Sequence, residues 1–165
     1  MTLANKITLG RIALIPICVL FLLADLLGLA ALLFLLLSLT DLLDGYVARK
    51  YNQVSELGKM LDPLADKILV VSMLIGLTAI GRAGALPVII IAAREFLIAS
   101  IRTGKIFAAS PLAKWKTATQ TVSVLMLLFA LPLADVVLWA AVILSLVSGW
   151  VYLWQSQFLQ QLRSS

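Results

Sequence analysis

The sequence predicts an all-α integral membrane protein with six transmembrane helices in a single domain, residues 1–165. Apolar residues make up 62% of the chain, charged residues only 13%, and the mean hydropathy is +1.09, all outside the range of ordinary soluble domains. Six apolar stretches also recur, each near the ~20 residues needed to cross a ~30 Å hydrocarbon layer. The connections between them are short, which leaves no room for a second domain.

The first three stretches are 7–23, 26–43 and 60–80. The first contains Arg11 near its start, but it is long for a signal peptide and no small-residue cleavage pattern follows, so we expect a membrane span. The second is rich in leucine up to Asp41. The third begins with acidic residues and then becomes continuously apolar.

The last three stretches are 86–101, 117–133 and 136–154. The fourth carries Arg94 and Glu95 within its apolar run. The fifth follows a basic segment, and the sixth has no charged residue at all. We therefore expect six antiparallel helices joined by short connections.

Basic residues concentrate on one predicted side of the membrane, and Lys and Arg are typical of cytoplasmic loops. The opposite loops carry Asp25, Arg82 and Asp135, with one base among them. The sequence thus predicts a multi-pass protein of the cell membrane with both termini in the cytoplasm. The net charge of +5 follows from this asymmetry and from attraction to anionic membrane lipids, so nucleic acid is not an expected partner. The basic residues of the cytoplasmic side are Lys6, Arg11, Arg49, Lys50, Lys59, Arg102, Lys105, Lys114, Lys116 and Arg163.

Four aspartates lie in or beside apolar stretches, where packing does not explain them. A carboxylate at this depth costs roughly 2.5 to 3.5 kcal/mol, so four together cost about 10 kcal/mol unless something compensates their charge. Asp41 and Asp44 share a helical stripe with Gly45 and Ala48, and Gly58, Asp62 and Asp66 form a second stripe with steps of four. If these two helices are neighbours, the carboxylates converge, and the small residues leave space beside them.

Four hard oxygen donors favour Mg²⁺ or Mn²⁺. The chain has no histidine and a single cysteine, Cys18, which we expect to be a packing residue. Because four carboxylates exceed what one ion usually recruits, we expect two ions that bind a diphosphate, as in phosphoryl transfer. Arg49 can add a bidentate phosphate contact.

Two other interpretations of the aspartates remain open. They could form salt bridges with Arg49, Lys50, Lys59 and Lys67 at the membrane surface, although such pairing explains neither the repeated spacing nor the glycines. They could instead form the pathway of a cation transporter. Clustering of the acids towards one face of the membrane argues against transport.

A second basic set lies at the cytoplasmic ends of the fourth and fifth helices. Arg94 and Arg102 are eight residues apart and therefore share a helix side, and Lys114 and Lys116 follow. These side chains could bind the phosphate of an anionic substrate. The alternatives are the positive-inside rule alone, or pairing of Arg94 with Glu95 or with an aspartate of the cluster.

The acidic motif resembles the signature of the CDP-alcohol phosphotransferase family at every position. This resemblance implies six transmembrane helices around a cytoplasm-facing polar cavity, a divalent-metal centre and commonly a homodimer. It also implies a reaction in which an alcohol hydroxyl attacks the β-phosphorus of a CDP-linked donor and CMP leaves. Asp41, Asp44 and Asp62 would bind metal, and Asp66 would bind metal and orient or deprotonate the hydroxyl. The matching residues are Asp41, Asp44, Gly45, Ala48, Arg49, Gly58, Asp62 and Asp66.

Within this family the chain is similar to the phosphatidylglycerophosphate synthase branch, up to about Gln120. That resemblance implies CDP-diacylglycerol as donor and glycerol 3-phosphate as acceptor. It implies acceptor contacts from Arg94, Arg102, Lys116 and Thr117. Inositol phosphate, serine or phosphatidylglycerol are the alternative acceptors. The expected donor-binding residues are Asn5, Thr8, Arg11, Asp44, Gly45, Ala48, Arg49 and Gly58, of which the first three could instead cap the helix or extend towards the membrane surface.

Overall fold

The computed structural model describes residues 3–50, 56–102 and 111–155, and the side chains within 7–40, 64–101 and 114–154. In these ranges the chain forms six α-helices and no β-strand, as the composition predicts. The helices are α1 (Leu3–Leu23), α2 (Leu27–Lys50), α3 (Glu56–Ala79), α4 (Ala85–Arg102), α5 (Pro111–Leu128) and α6 (Ala134–Gln155).

Four helices extend several residues beyond the apolar stretches that predicted them. The first and third begin four residues before positions 7 and 60, the second continues seven residues past position 43, and the fifth begins six residues before position 117. The fifth also ends at Leu128, five residues before the predicted position 133. Lys114 and Lys116, which precede the predicted fifth stretch, therefore lie inside the first turns of α5. Polar residues at these helix ends still satisfy their backbone hydrogen bonds within the helix, so apolar patterning underestimates the length. Pro111 opens α5, where its missing N–H costs nothing.

Tight turns connect consecutive helices at the end away from the acidic motif. After α3, Gly81 adopts φ +74°, and the N–H of Arg82 donates to the carbonyl of Leu77 at 2.8 Å. This left-handed glycine closes the helix without strain. Arg82 then donates from Nη1 to the carbonyl oxygen of Leu128 at 2.5 Å and caps the last turn of α5. This contact gives a structural role to the only base in the predicted outer loops.

The third helix is central, since it packs against α1, α2, α4 and α5, while α6 packs against α5 and α4. Leucine, methionine and aromatic side chains fill the space between these helices. Cys18 is fully buried and free, and its Sγ lies 3.4 Å from the carbonyl oxygen of Ala30, which confirms its expected packing role. The largest fully buried apolar side chains are Phe34, Leu22, Leu69, Met73, Leu74, Leu77, Ile91, Leu128, Leu138 and Val124.

The outer surface of the helices is strongly apolar, as Leu20, Leu32, Ile89 and Ile143 are each more than half exposed. Exposed apolar area on this scale is unusual for a soluble monomer and is typical of a lipid-facing surface. Among the described residues, one helix is long and apolar enough to cross a membrane, Ala134–Trp154, with mean hydropathy 2.2. The apolar helical segments Ile7–Leu23 and Leu27–Thr40 are shorter. Membrane association follows from these features.

Candidate active site

The residues of the acidic motif lie on two helices that pack against each other, at the end where α2 finishes and α3 begins. Asp41, Asp44, Gly45, Ala48 and Arg49 belong to the last turns of α2, and Gly58, Asp62 and Asp66 belong to the first turns of α3.

Asp66 is the acid of this motif whose side chain the structure describes, and it is half-buried. The side chains of Asp41, Asp44 and Asp62 lie outside the described residues, as do those of Asn5, Gly45, Ala48, Arg49, Gly58 and Arg102. Among the described side chains no group of three acids or cysteines could hold a metal ion. The convergence of four carboxylates thus stays a prediction.

Thr8 and Arg11, expected near the nucleotide, are both buried on α1. They are three residues apart and therefore share a face of the helix, and α1 packs against α3 and α2. Burial of Arg11 within the bundle argues against a side chain that only extends along lipid towards the membrane surface. A buried guanidinium needs anionic or polar partners, which fits a position beside a polar site.

A buried polar cluster lies at Glu95, whose exposure is only 2%. Its Oε1 accepts from Lys116 Nζ at 2.5 Å and from Arg94 Nη1 at 3.0 Å. Longer contacts of 3.4 Å come from Gln120 Nε2 and Ser145 Oγ. Residues of α4, α5 and α6 therefore meet at a single carboxylate. We refer to the following residues as the Glu95 cluster: Arg94, Glu95, Lys116, Gln120, Ser145 and Ser148.

The cluster contains more positive than negative charge. Arg94 and Lys116 share one carboxylate, so the three groups carry one net positive charge. Their side chains are only 11% and 9% exposed, and cations at such depth are rarely left without anions. The sequence left open the pairing of Arg94 with Glu95, and the structure shows this ion pair. Because Lys116 pairs with the same carboxylate, one positive charge of the two bases is still not balanced by Glu95.

The Glu95 cluster occupies a gap between α4 and α5. Among the described residues, no Cα atoms of these two helices come within 8 Å of each other, although each packs against α3 and α6. Two side chains of α5, those of Lys116 and Gln120, reach Glu95 of α4 across this separation. Glu95 is seven residues from the end of α4, which is about 10 Å along the axis, so the gap lies near the end that also carries the acidic motif.

A residue of α3 next to the acidic motif in the chain interacts with the Glu95 cluster. Lys67 follows Asp66 on α3 and interacts electrostatically with both Glu95 and Lys116. Thr117, expected at the acceptor, is half-buried next to Lys116. The structure thus places Arg94 and Lys116 together on Glu95, with Lys67 near them, while the side chain of Arg102 lies outside the described part. Convergence of Asp66 with this cluster stays a prediction.

The sequence did not point to Ser145, Ser148 or Gly149 of α6. Ser148 accepts from Arg94 Nη2 at 2.8 Å and lies 54 residues away from it. A usable signal exists, because two serines three residues apart followed by glycine interrupt an otherwise apolar helix. Serines in a membrane helix often contact polar groups of neighbouring helices.

Comparisons with known proteins identify the family to which the chain is similar. A family model described as CDP-alcohol phosphatidyltransferase matches residues 1–147. The chain is 44% identical over 180 residues to a protein of Bacillus subtilis (strain 168), with 91% of this chain and 92% of that protein covered. It is 40% identical over 169 residues to a protein of Rickettsia bellii (strain RML369-C), with the same coverage.

Both relatives are named CDP-diacylglycerol--glycerol-3-phosphate 3-phosphatidyltransferase. An Arabidopsis thaliana protein of the same name with the suffix 2 is 38% identical over 149 residues, covering 77% of this chain and 64% of its own length. The family match includes the acidic motif and most of the Glu95 cluster. By the extent of these matches, the chain belongs to the CDP-alcohol phosphatidyltransferase family.

Proposed function

We propose that this protein transfers a phosphatidyl group from CDP-diacylglycerol to glycerol 3-phosphate, forming phosphatidylglycerophosphate and CMP. The observation that carries the proposal is the similarity, over nine-tenths of both chains, to relatives named for this reaction. A hydroxyl oxygen of the acceptor forms a bond to the β-phosphorus of the donor. The bond from that phosphorus to the CMP oxygen breaks, and the hydroxyl proton is lost.

Divalent ions are general in this family, and the donor set fits them. The candidate ligands are carboxylates, hard donors suited to Mg²⁺ or Mn²⁺, and the described backbone places them on two packed helices. Asp41, Asp44, Asp62 and Asp66 would hold two ions. When bound, these ions would neutralise negative charge on the donor diphosphate and on the departing CMP.

The protein groups of α1, α2 and α3 bind and orient the donor and the attacking hydroxyl. Arg49 binds a diphosphate oxygen, and Thr8 and Arg11 bind the nucleotide together with Asn5. Asp66 accepts a hydrogen bond from the acceptor hydroxyl, which orients it and can take its proton. Space for the donor comes from the small residues Gly45, Ala48 and Gly58.

The acceptor phosphate binds where α4 and α5 are separated. Arg94 and Lys116 supply net positive charge to this gap. We assign Arg102 and Thr117 to the same acceptor site. An uncharged acceptor such as serine would leave this charge without an anion, which favours a phosphorylated acceptor. Inositol phosphate would satisfy the same cations and is the second candidate acceptor.

Six membrane spans, cytoplasmic termini and a cytoplasmic active site complete the proposal. The apolar outer surface and the distribution of Lys and Arg support this topology. We also propose a homodimer in the cell membrane, on the resemblance to the family.

A substrate panel tests the function directly. Purified protein in detergent receives CDP-diacylglycerol, Mg²⁺ or Mn²⁺, and either glycerol 3-phosphate, inositol phosphate, serine or phosphatidylglycerol, and CMP release is measured. We expect release with glycerol 3-phosphate above all others, loss of release with a chelator, and recovery on adding either ion back. CMP release with inositol phosphate alone would identify inositol phosphate as the acceptor in place of glycerol 3-phosphate. Absence of CMP release with every alcohol would contradict the enzymatic function.

A further inference from the structure

The sixth helix contacts Arg94 in a way that defines the direction of its guanidinium. Ser148 Oγ donates to the carbonyl oxygen of Ser145 at 3.1 Å and accepts from Arg94 Nη2 at 2.8 Å. Because its proton is committed to its own helix, the serine presents a lone pair to Arg94. On the other side, Glu95 Oε1 accepts from Nη1. Two neighbours thus hold the two terminal nitrogens.

Close packing on Gly149 completes this arrangement. A Cβ atom placed on Gly149 would lie 2.9 Å from Arg94 Nε and 3.5 Å from both Cγ and Nη2. Arg94 Nε is itself buried with no hydrogen-bond partner among the described residues. The guanidinium therefore lies against the bare backbone of α6, and any side chain at position 149 would displace it.

Hydrogen-bond capacity shows what remains for a ligand. A guanidinium has five N–H groups. One is directed to Glu95, one to Ser148, and the Nε–H is buried at Gly149. Within the described part of the chain, one N–H of Nη1 and one of Nη2 are left, the number that a phosphate accepts in a bidentate contact.

We propose that α6 positions Arg94 for acceptor binding, with Gly149 as the positioning residue that leaves room for the guanidinium and Ser148 as the residue that sets its direction. This inference rests on the proposed role of Arg94 at the acceptor phosphate. It adds α6, which carries no residue of the acidic motif, to the determinants of acceptor affinity.

Steady-state kinetics of Gly149→Ala test the proposal. The added methyl group should displace Arg94 and raise KM for glycerol 3-phosphate roughly tenfold, in line with the cost of overpacking, while KM for CDP-diacylglycerol stays unchanged. Ser148→Ala adds no volume and should raise the same KM roughly threefold. In an Arg94→Ala background, both substitutions should have no further effect on KM.

Two other glycines serve as matched controls. Gly76→Ala would place a Cβ 2.6 Å from Leu22 Cδ2 in the apolar core, so it reports on overpacking without touching the cluster. A Cβ on Gly28 would meet no other atom within 4 Å, so Gly28→Ala reports on the substitution alone. Both should keep wild-type KM values for both substrates, although Gly76→Ala lowers the unfolding temperature.

The outcomes separate this inference from the function on which it rests. If Arg94→Ala leaves KM for glycerol 3-phosphate unchanged, Arg94 does not bind the acceptor. The proposed acceptor role of Arg94 and the positioning role of α6 then both fail. If Arg94→Ala raises it but Gly149→Ala and Ser148→Ala do not, only the role of α6 is overturned. Two further results would also overturn the role of α6. One is an equal change in KM for both substrates in Gly149→Ala, and the other is an effect of Gly149→Ala on acceptor KM in the Arg94→Ala background. Should Gly149→Ala fail to fold, Ser148→Ala alone decides.

Discussion

Lys116 Nζ lies 2.5 Å from Glu95 Oε1, although no Cα atoms of the two helices that carry them, α5 and α4, lie within 8 Å of each other among the described residues. The Lys116 side chain therefore spans the separation between α4 and α5, together with a longer contact from Gln120. The carboxylate that receives it is buried and also holds Arg94. This ion pair links the two walls of the proposed acceptor site, so its loss should affect both folding and binding.

Removal of Glu95 should destabilise the protein strongly. Glu95→Ala leaves Arg94 and Lys116 buried without their shared anion, and breaking a buried pair in this way costs about 3 to 5 kcal/mol. Unfolding in detergent, followed by circular dichroism, measures the loss. Asp135→Ala removes an exposed acid from the first turn of α6 and should cost less than about 1 kcal/mol. Equal stability of the two variants would contradict the importance of the cluster.

Asp66→Asn should abolish most turnover while CDP-diacylglycerol and metal binding stay detectable. An amide cannot take the acceptor proton, and loss of a general base typically lowers the rate by a factor of about 10² to 10⁴. Single-turnover CMP release and a separate donor-binding assay distinguish the two effects. Asp25→Asn is the matched control, since Asp25 has φ 60°, a conformation that asparagine also tolerates. Near-normal rates for Asp66→Asn would exclude Asp66 as the general base.

Arg102→Ala should raise KM for glycerol 3-phosphate more than KM for CDP-diacylglycerol, by roughly tenfold for the acceptor if one charge-assisted contact is lost. The comparison uses initial rates with each substrate varied in turn. Lys114→Ala removes an exposed base of α5 and should leave both KM values near wild type. An equal change in both KM values for Arg102→Ala would argue against an acceptor-phosphate role.

Arg82→Ala should lower stability without changing either KM value. Its guanidinium caps the carbonyl of Leu128 at the end of α5, and such a contact contributes about 1 kcal/mol. The unfolding temperature in detergent reports the loss, and Arg82→Lys should recover part of it by keeping a cation near the helix end. A change in acceptor KM would instead connect this end of the bundle with the site.

Local sequence patterns predicted the existence of the helices but not all of their ends. Apolar runs of membrane length identify six elements, because a lipid-facing helix must be apolar around most of its surface. The polar ends of α2, α3 and α5 lack that signal. These helices nevertheless include Arg49, Glu56 and Lys114, because the backbone hydrogen bonds of a helix do not require apolar side chains.

Local spacing predicts which helix carries a motif residue, but it does not predict which distant residues that motif contacts. The spacing of Asp62 and Asp66 places both on α3 without any tertiary information. Glu95, by contrast, meets partners 21, 25 and 50 residues away, and no local pattern indicates which helix supplies them. From the sequence alone, Glu95, an aspartate of the acidic motif and a substrate phosphate are all possible partners of Arg94.

The separation between α4 and α5 has a consequence for altering acceptor preference by protein engineering. Lys116 and Gln120 of α5 reach Glu95 of α4 through their side chains, while α3 and α6 pack against both helices. If the acceptor binds here as proposed, substitution of these polar side chains should alter head-group choice without disturbing the packing that holds α4 and α5 in place.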